Sequence, residues 1–206
     1  LSSFVKSGGV MLITFYSPIG GMATFLRRLL SYRLISHKDP MNKKTSILRK
    51  AFASHLNTLS SMNRSHEHWI QDSILNPHIY VGLLTPHLCN DILSDEFMIY
   101  QSVPRFSTDW RWYKSLHGEQ RKLTKNFLTK YDTISHCMID FQMDGVKRSI
   151  EKNKELEKIC FDFAMIAKDN ENLGHGAYMK NVEPLLSKIT SNIEPDLSQT
   201  TKKALY

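Results

Sequence analysis

The chain has 206 residues, of which 41% are hydrophobic and 23% charged, with 9 Gly and 7 Pro. That composition is globular. It excludes a disordered or collagen-like chain and leaves room for one ordinary domain. The formal charge of +7 is concentrated in residues 1–64, where ten basic residues face the single acid Asp39; that segment is +9 and the other 142 residues sum to −2.

A local basic patch suits phosphate, a nucleic acid or an anionic membrane surface, and equally a solvated face. No apolar run reaches the roughly 18 residues that a membrane-spanning helix needs. Cys89, Cys137 and Cys160 are odd in number and lack C-x-x-C spacing. A disulfide framework and a cysteine-rich zinc site are therefore not expected, and a reducing, cytoplasmic compartment is. No secretory signal is read at the start. The chain opens on Leu1 and enters a strand-like run within ten residues, which reads as a chain missing its beginning.

In chain order, Gly8-Gly9 precede residues 10–16, VMLITFY, a run rich in β-branched and aromatic residues that predicts a buried strand. Ser17-Pro18 stops it and Gly20-Gly21 reads as a turn. Met22, Phe25, Leu26, Leu29 and Leu30 then recur at helical spacing, with Arg27, Arg28 and Arg33 alongside, and Asp39-Pro40 breaks the helix. Leu48, Phe52, His55, Leu59 and Met62 predict a second helix over 45–62, capped by Thr45 or Ser46. Residues 63–80 read as a polar, His-rich stretch.

Thr85-Pro86 opens a short helix to about Leu93, because Thr at the cap and Pro at the first helical position are a good start signal. Residues 97–103, FMIYQSV, predict a second strand ending at Pro104. Leu123, Phe127, Tyr131, Ile134, Met138 and Phe141 form the strongest helical stripe in the chain. A charged helix over 146–168 presents Leu156, Ile159, Phe163 and Ile166, a loop covers 170–176, and a last helix runs from Pro184 to Ile193 before a frayed tail.

His66, Glu67, His68, Asp72 and His78 invite a metal reading. Only His68 and Asp72 would share a helix face, and no H-E-x-x-H spacing occurs, so a polar loop or substrate lid is the better reading and no metal is expected. Trp110, Trp112 and Tyr113 alternate with Arg111 and Lys114. Such a segment stacks nucleobases or clamps sugars, or simply pins an extension onto the core. No Ser-His-Asp arrangement is legible.

Residues 4–16, FVKSGGVMLITFY, resemble the LKPGG turn and following strand late in the class I S-adenosylmethionine-dependent methyltransferase fold, with Ser7 in place of the usual Pro. The order of later pieces is similar too: helices over 22–62, NPHIY at 76–80, TPHLCNDIL, then EFMIYQSVP. TDWRWYK at 108–114 is similar to the C-terminal extension of some bacterial members. The resemblance covers roughly residues 1–120.

It implies an α-rich α/β fold: two antiparallel C-terminal strands of a Rossmann-like sheet in residues 1–104, with a helical insertion over about 20–80, and a helical C-terminal extension over 105–206. It also implies the acceptor side of a methyltransferase; the acceptor is unnamed, and the arginines suit an anionic one. Tyr16, Ser17, Arg27, Arg28, Trp110 and Trp112 are the candidate substrate-binding residues, and the basic helix is a candidate lid. The family's Gly-x-Gly-x-Gly loop and ribose-binding acid are missing. No cofactor ligand or catalytic residue is carried over, and S-adenosylmethionine is expected to bind the longer parent protein and not this chain alone. The alternative is a non-enzymatic module whose basic helix docks on a membrane surface or a nucleic acid.

Overall fold

A computed structural model describes residues 2–58, 62–78, 82–106, 122–170 and 175–205. The helices in order are α1 (Pro18–Leu34), α2 (Met41–Ala51), α3 (Ala53–Thr58), α4 (His66–Ser73), α5 (Pro86–Leu93), α6 (Leu123–Ile134), α7 (Ile150–Asn170), α8 (His175–Ile193) and α9 (Gln199–Leu205). Helix makes up 66% of the described residues, and no strand or sheet occurs among them.

The expected α/β architecture is therefore wrong for these residues: 10–16 and 97–103 do not pair. One isolated parallel bridge joins Tyr16 to Leu83. Val10 and Leu12 stand 84% and 91% exposed. Among the described residues, 10–15 make no backbone–backbone hydrogen bond. In the second run, Met98, Tyr100 and Val103 are exposed, and the Ile99 N–H donates to the Thr124 side chain at 3.0 Å. The physical reason is that β propensity is a preference for a pleated, half-buried surface. Without a neighbouring backbone to accept the ladder, an apolar β-branched run stays unpaired.

Ser17-Pro18 starts a helix here instead of only ending a strand. Ser17 has extended backbone, its Oγ accepts the Gly20 N–H at 2.9 Å, and Pro18 fills the first helical position, where its missing N–H costs nothing. Gly20-Gly21 accordingly lies inside α1 and is not a turn or hinge. Gly21 is buried, and a Cβ there would come within 2.7 Å of the Phe25 ring, so this glycine makes room for an aromatic side chain.

Three cores organise the chain. Ile19, Met22, Phe25 and Leu29 of α1 pack with Leu156, Cys160 and Phe163 of α7 and with Val182, Ile189 and Ile193 of α8. The C-terminal end of α8 meets the N-terminal end of α7, where Asn192 donates to Glu155 at 3.1 Å, so α7 and α8 run antiparallel. This core draws on residues either side of position 104. Ile35, Leu48, Leu56, Ile70 and Ile74 form the second core, around α2, α3 and α4. Phe106, Phe127, Tyr131 and Ile134 form the third, with Phe106 edge-on to both Phe127 and Tyr131.

Several boundaries differ from the sequence reading. The second helix starts at Met41 and breaks at Phe52, and Thr45 is not its cap but a buried residue whose Oγ1 donates to the Met41 carbonyl. The His-rich stretch contains α4, capped by Ser65, whose Oγ accepts the His68 N–H at 3.2 Å. Phe141 leaves the α6 stripe and is exposed. Pro184 sits inside α8, which begins at His175. The tail is anchored: Leu197 is buried, and the Ser198 N–H donates to Asp140 at 2.9 Å.

Candidate functional site

Tyr16 and Ser17 lie where the Leu83 bridge joins the starts of α1 and α5. The Tyr16 N–H donates to the Gly82 carbonyl at 2.8 Å, and the Tyr16 carbonyl accepts the Leu84 N–H at 3.0 Å. The Tyr16 side chain is 42% exposed and available to a ligand. The Ser17 hydroxyl is occupied: it caps α1 and lies 3.5 Å from Met138 Sδ.

The two arginines fare differently. Arg28 is 1% exposed. Its Nη1 donates to the carbonyls of Ile74 at 2.5 Å and Asn76 at 2.7 Å, and its Nη2 to the Tyr32 hydroxyl at 3.1 Å. A planar fork that holds two carbonyls is a structural clamp, here between α1 and the chain leaving α4. Arg28 is therefore not presented to an acceptor. Arg27 lies over the Trp69 ring at 5.5 Å, and burial lowers its pKa. With Met22, Phe25 and Leu29 in one core and Arg28 holding the edge of another, α1 packs as a core element. Trp110 and Trp112 lie outside the described residues.

The rest of the basic segment is largely engaged within the chain. Lys43 pairs with Asp39 at 2.7 Å, Arg49 with Glu67 at 2.7 Å, and Arg64 with Asp72; Lys44 donates to the His37 carbonyl at 3.0 Å. Glu67 and Asp72 are thus committed to arginines, and among the described residues no group of His, Cys, Asp and Glu could hold a metal ion. A shallow groove of about 300 Å³ runs between α2 and α4, and the one cation in its wall, Arg49, is the partner of Glu67.

A cluster of titratable groups lies elsewhere, at α5, α6 and α7. His87, in the first turn of α5, places Nε2 2.6 Å from Asp132 Oδ1 of α6. The side chains are 36% and 13% exposed, so an open imidazole rests on a mostly covered carboxylate. The Asp132 backbone carbonyl accepts from Asn153 Nδ2 at 2.8 Å, and Asn153 is buried. Next to the pair, the Tyr131 hydroxyl donates to Glu157, and the Tyr131 ring stands edge-on to His87 at 6.2 Å. Burial raises the pKa of the Glu157 carboxyl, with the Tyr131 hydrogen bond pulling the other way. Burial, with Glu157 adding to it, also raises the Tyr131 hydroxyl. Deeper still, burial pushes the Cys160 thiol up to about 12.

An imidazole oriented by a carboxylate is equipped for proton transfer. His87 and Asp132 were not sequence candidates. They are 45 residues apart, and only the packing of α5 against α6 brings them together. The one local clue is the Thr85-Pro86 start, which fixes His87 in the first helical turn.

No family model, no curated protein and no solved structure matches the chain.

Proposed function

We propose that residues 1–206 are the helical, acceptor-side part of an S-adenosylmethionine-dependent methyltransferase whose cofactor is held by other residues. The observation that carries the reading is the Tyr16–Leu83 bridge. There Tyr16, the last residue of the apolar run, is joined to residues 82–84, directly ahead of the TPHLCNDIL segment. The turn itself is closed: the Gly9 N–H donates to the Lys6 carbonyl at 2.8 Å, and Gly8 has φ +79°, a conformation that favours glycine. His87 follows four residues after Leu83 in the chain, in the first turn of α5, and pairs with Asp132.

The described residues do not fit S-adenosylmethionine. The one Gly-x-Gly is at 174–176, and among the described residues no strand occurs that could precede it or carry a ribose-binding acid at its end. No reaction step is therefore routed through the cofactor. The role of this chain is to hold and orient the acceptor, which supplies much of the rate advantage in group transfer.

The docking alternative draws no support from the basic segment. Arg27, Arg28, Lys43, Lys44, Arg49 and Arg64 are all engaged by groups of the same chain, which leaves fewer cations to meet phosphates. Sequencing the DNA upstream of the Leu1 codon tests the proposal. An open frame encoding Gly-x-Gly-x-Gly after a strand supports it; an in-frame stop codon or an unrelated domain overturns it.

A further inference from the structure

We propose that His87 and Asp132 form a proton-accepting pair in which Nδ1 of His87 takes the proton from a hydroxyl or amine of the substrate held at this junction. The assignment rests on the acceptor-side reading and adds to it a chemical class of acceptor, one that must lose a proton to react.

An ionised carboxylate only accepts hydrogen bonds. With Nε2 at 2.6 Å from Asp132 Oδ1, the neutral ring must carry its hydrogen on Nε2. The lone pair is then on Nδ1. Among the described residues the ring has no other hydrogen-bond partner, and its Nδ1 is not a buried orphan. The ring is open while its orienting carboxylate is mostly covered. Asp132 is itself held: it lies on α6, and its carbonyl is tied to buried Asn153 of α7. His87 is fixed from the other side by the capped first turn of α5, where Thr85 Oγ1 accepts the Leu88 N–H at 3.1 Å.

In the step, the proton of X–H moves to Nδ1 and the bonding pair stays on X, which becomes the stronger nucleophile. The imidazolium faces the Asp132 carboxylate and returns its proton to water. Asp132 acts as a positioning residue, through the tautomer it imposes. Positioned acid–base groups contribute about 10²–10⁴-fold in rate.

The test uses the chain with ¹⁵N-labelled histidine. Proton–nitrogen correlation spectra of the neutral ring should show His87 protonated at Nε2 with Nδ1 bare. Asp132→Asn, whose amide can donate to Nε2, should move the hydrogen to Nδ1, while circular dichroism stays unchanged. As a probe of the bare lone pair, p-nitrophenyl acetate should be cleaved faster by wild type than by His87→Gln, because Nδ1 attacks the ester carbonyl and p-nitrophenolate leaves. The His87 side chain is only 36% exposed, so circular dichroism must show the variant folded before the rates are compared.

A ring protonated at Nδ1 in wild type, or equal cleavage by His87→Gln, overturns the pair whatever the methyltransferase reading turns out to be. If both results hold while the product of the complete reading frame binds no S-adenosylmethionine, the pair stands and the methyltransferase reading falls.

Discussion

Removing the Arg28 guanidinium should be among the most damaging single changes in the molecule. Arg28 is fully covered and donates to the carbonyls of Ile74 and Asn76 and to the Tyr32 hydroxyl, with its guanidinium 5.6 Å from the Tyr32 ring centre. A charged hydrogen bond contributes about 1.5–3 kcal/mol net, and a buried acceptor left without its donor costs about 1–3 kcal/mol. These terms overlap, so Arg28→Ala should cost about 3–5 kcal/mol, the range seen when one partner of a buried charged contact is removed. At about 2–4 °C per kcal/mol for a chain of this size, the melting temperature should drop by roughly 6–20 °C. Arg28→Lys should recover less than half, because an ammonium cannot span two carbonyls as a planar fork does. Arg27→Ala, which loses a half-covered contact with Trp69, should cost about 1 kcal/mol or less. Urea unfolding followed by circular dichroism at 222 nm reads all three variants. If Arg28→Ala costs no more than Arg27→Ala, the clamp is wrong and the arginine-lined lid regains its footing.

Leu12→Asp tests the loss of the expected strand: at 91% exposure the change should move stability by less than about 0.5 kcal/mol, whereas a buried strand would lose several times that, and urea midpoints separate the cases. Burial first, and then Arg148, lower the pKa of His136. The unfolded chain therefore binds a proton below about pH 6.5 that the folded chain refuses. This contribution to stability is full above that pH and falls as the medium is acidified. Unfolding free energies at pH 7.5 and 5.5 should show a smaller difference for His136→Gln than for wild type. Among the thiols, Cys160 is buried with its pKa pushed up to about 12, so Ellman's reagent should reach it only on unfolding; prompt reaction of Cys160 in the native state would contradict the α1–α7–α8 core.

Signals that were local and paired with burial were legible. Thr85-Pro86 gave both the cap and the start of α5, which ends at Leu93 as expected. The stripe from Leu123 to Ile134 became α6, and Leu156 and Phe163 became the buried face of α7. The errors came where one local pattern serves two structures. VMLITFY has strand chemistry, but strand formation needs a second backbone, and none pairs with residues 10–15 among the described residues. Ser17-Pro18 after an apolar run looked like a stop when it was a helix start. Helix α4 hid behind two histidines and a glutamate, with Ile70 and, at its C-cap, Ile74 as its buried apolar signal.

Of the candidate residues, Tyr16 is exposed at the end of the apolar run. Arg28 was misassigned for a physical reason: charge alone does not distinguish a solvated guanidinium from one enclosed by carbonyls brought from 46 and 48 residues away. The His87–Asp132 pair had no sequence signature, since its members belong to different helices and neither spacing nor periodicity links them.

Titration calorimetry with S-adenosylmethionine tests the central claim most directly, comparing residues 1–206 with the product of the complete reading frame that encodes them. The expected result is micromolar binding by the complete product and none by residues 1–206, which carry neither the glycine loop nor a ribose acid. Binding by residues 1–206 alone, or no binding by the complete product, would contradict the assignment of this chain to the acceptor side of a methyltransferase.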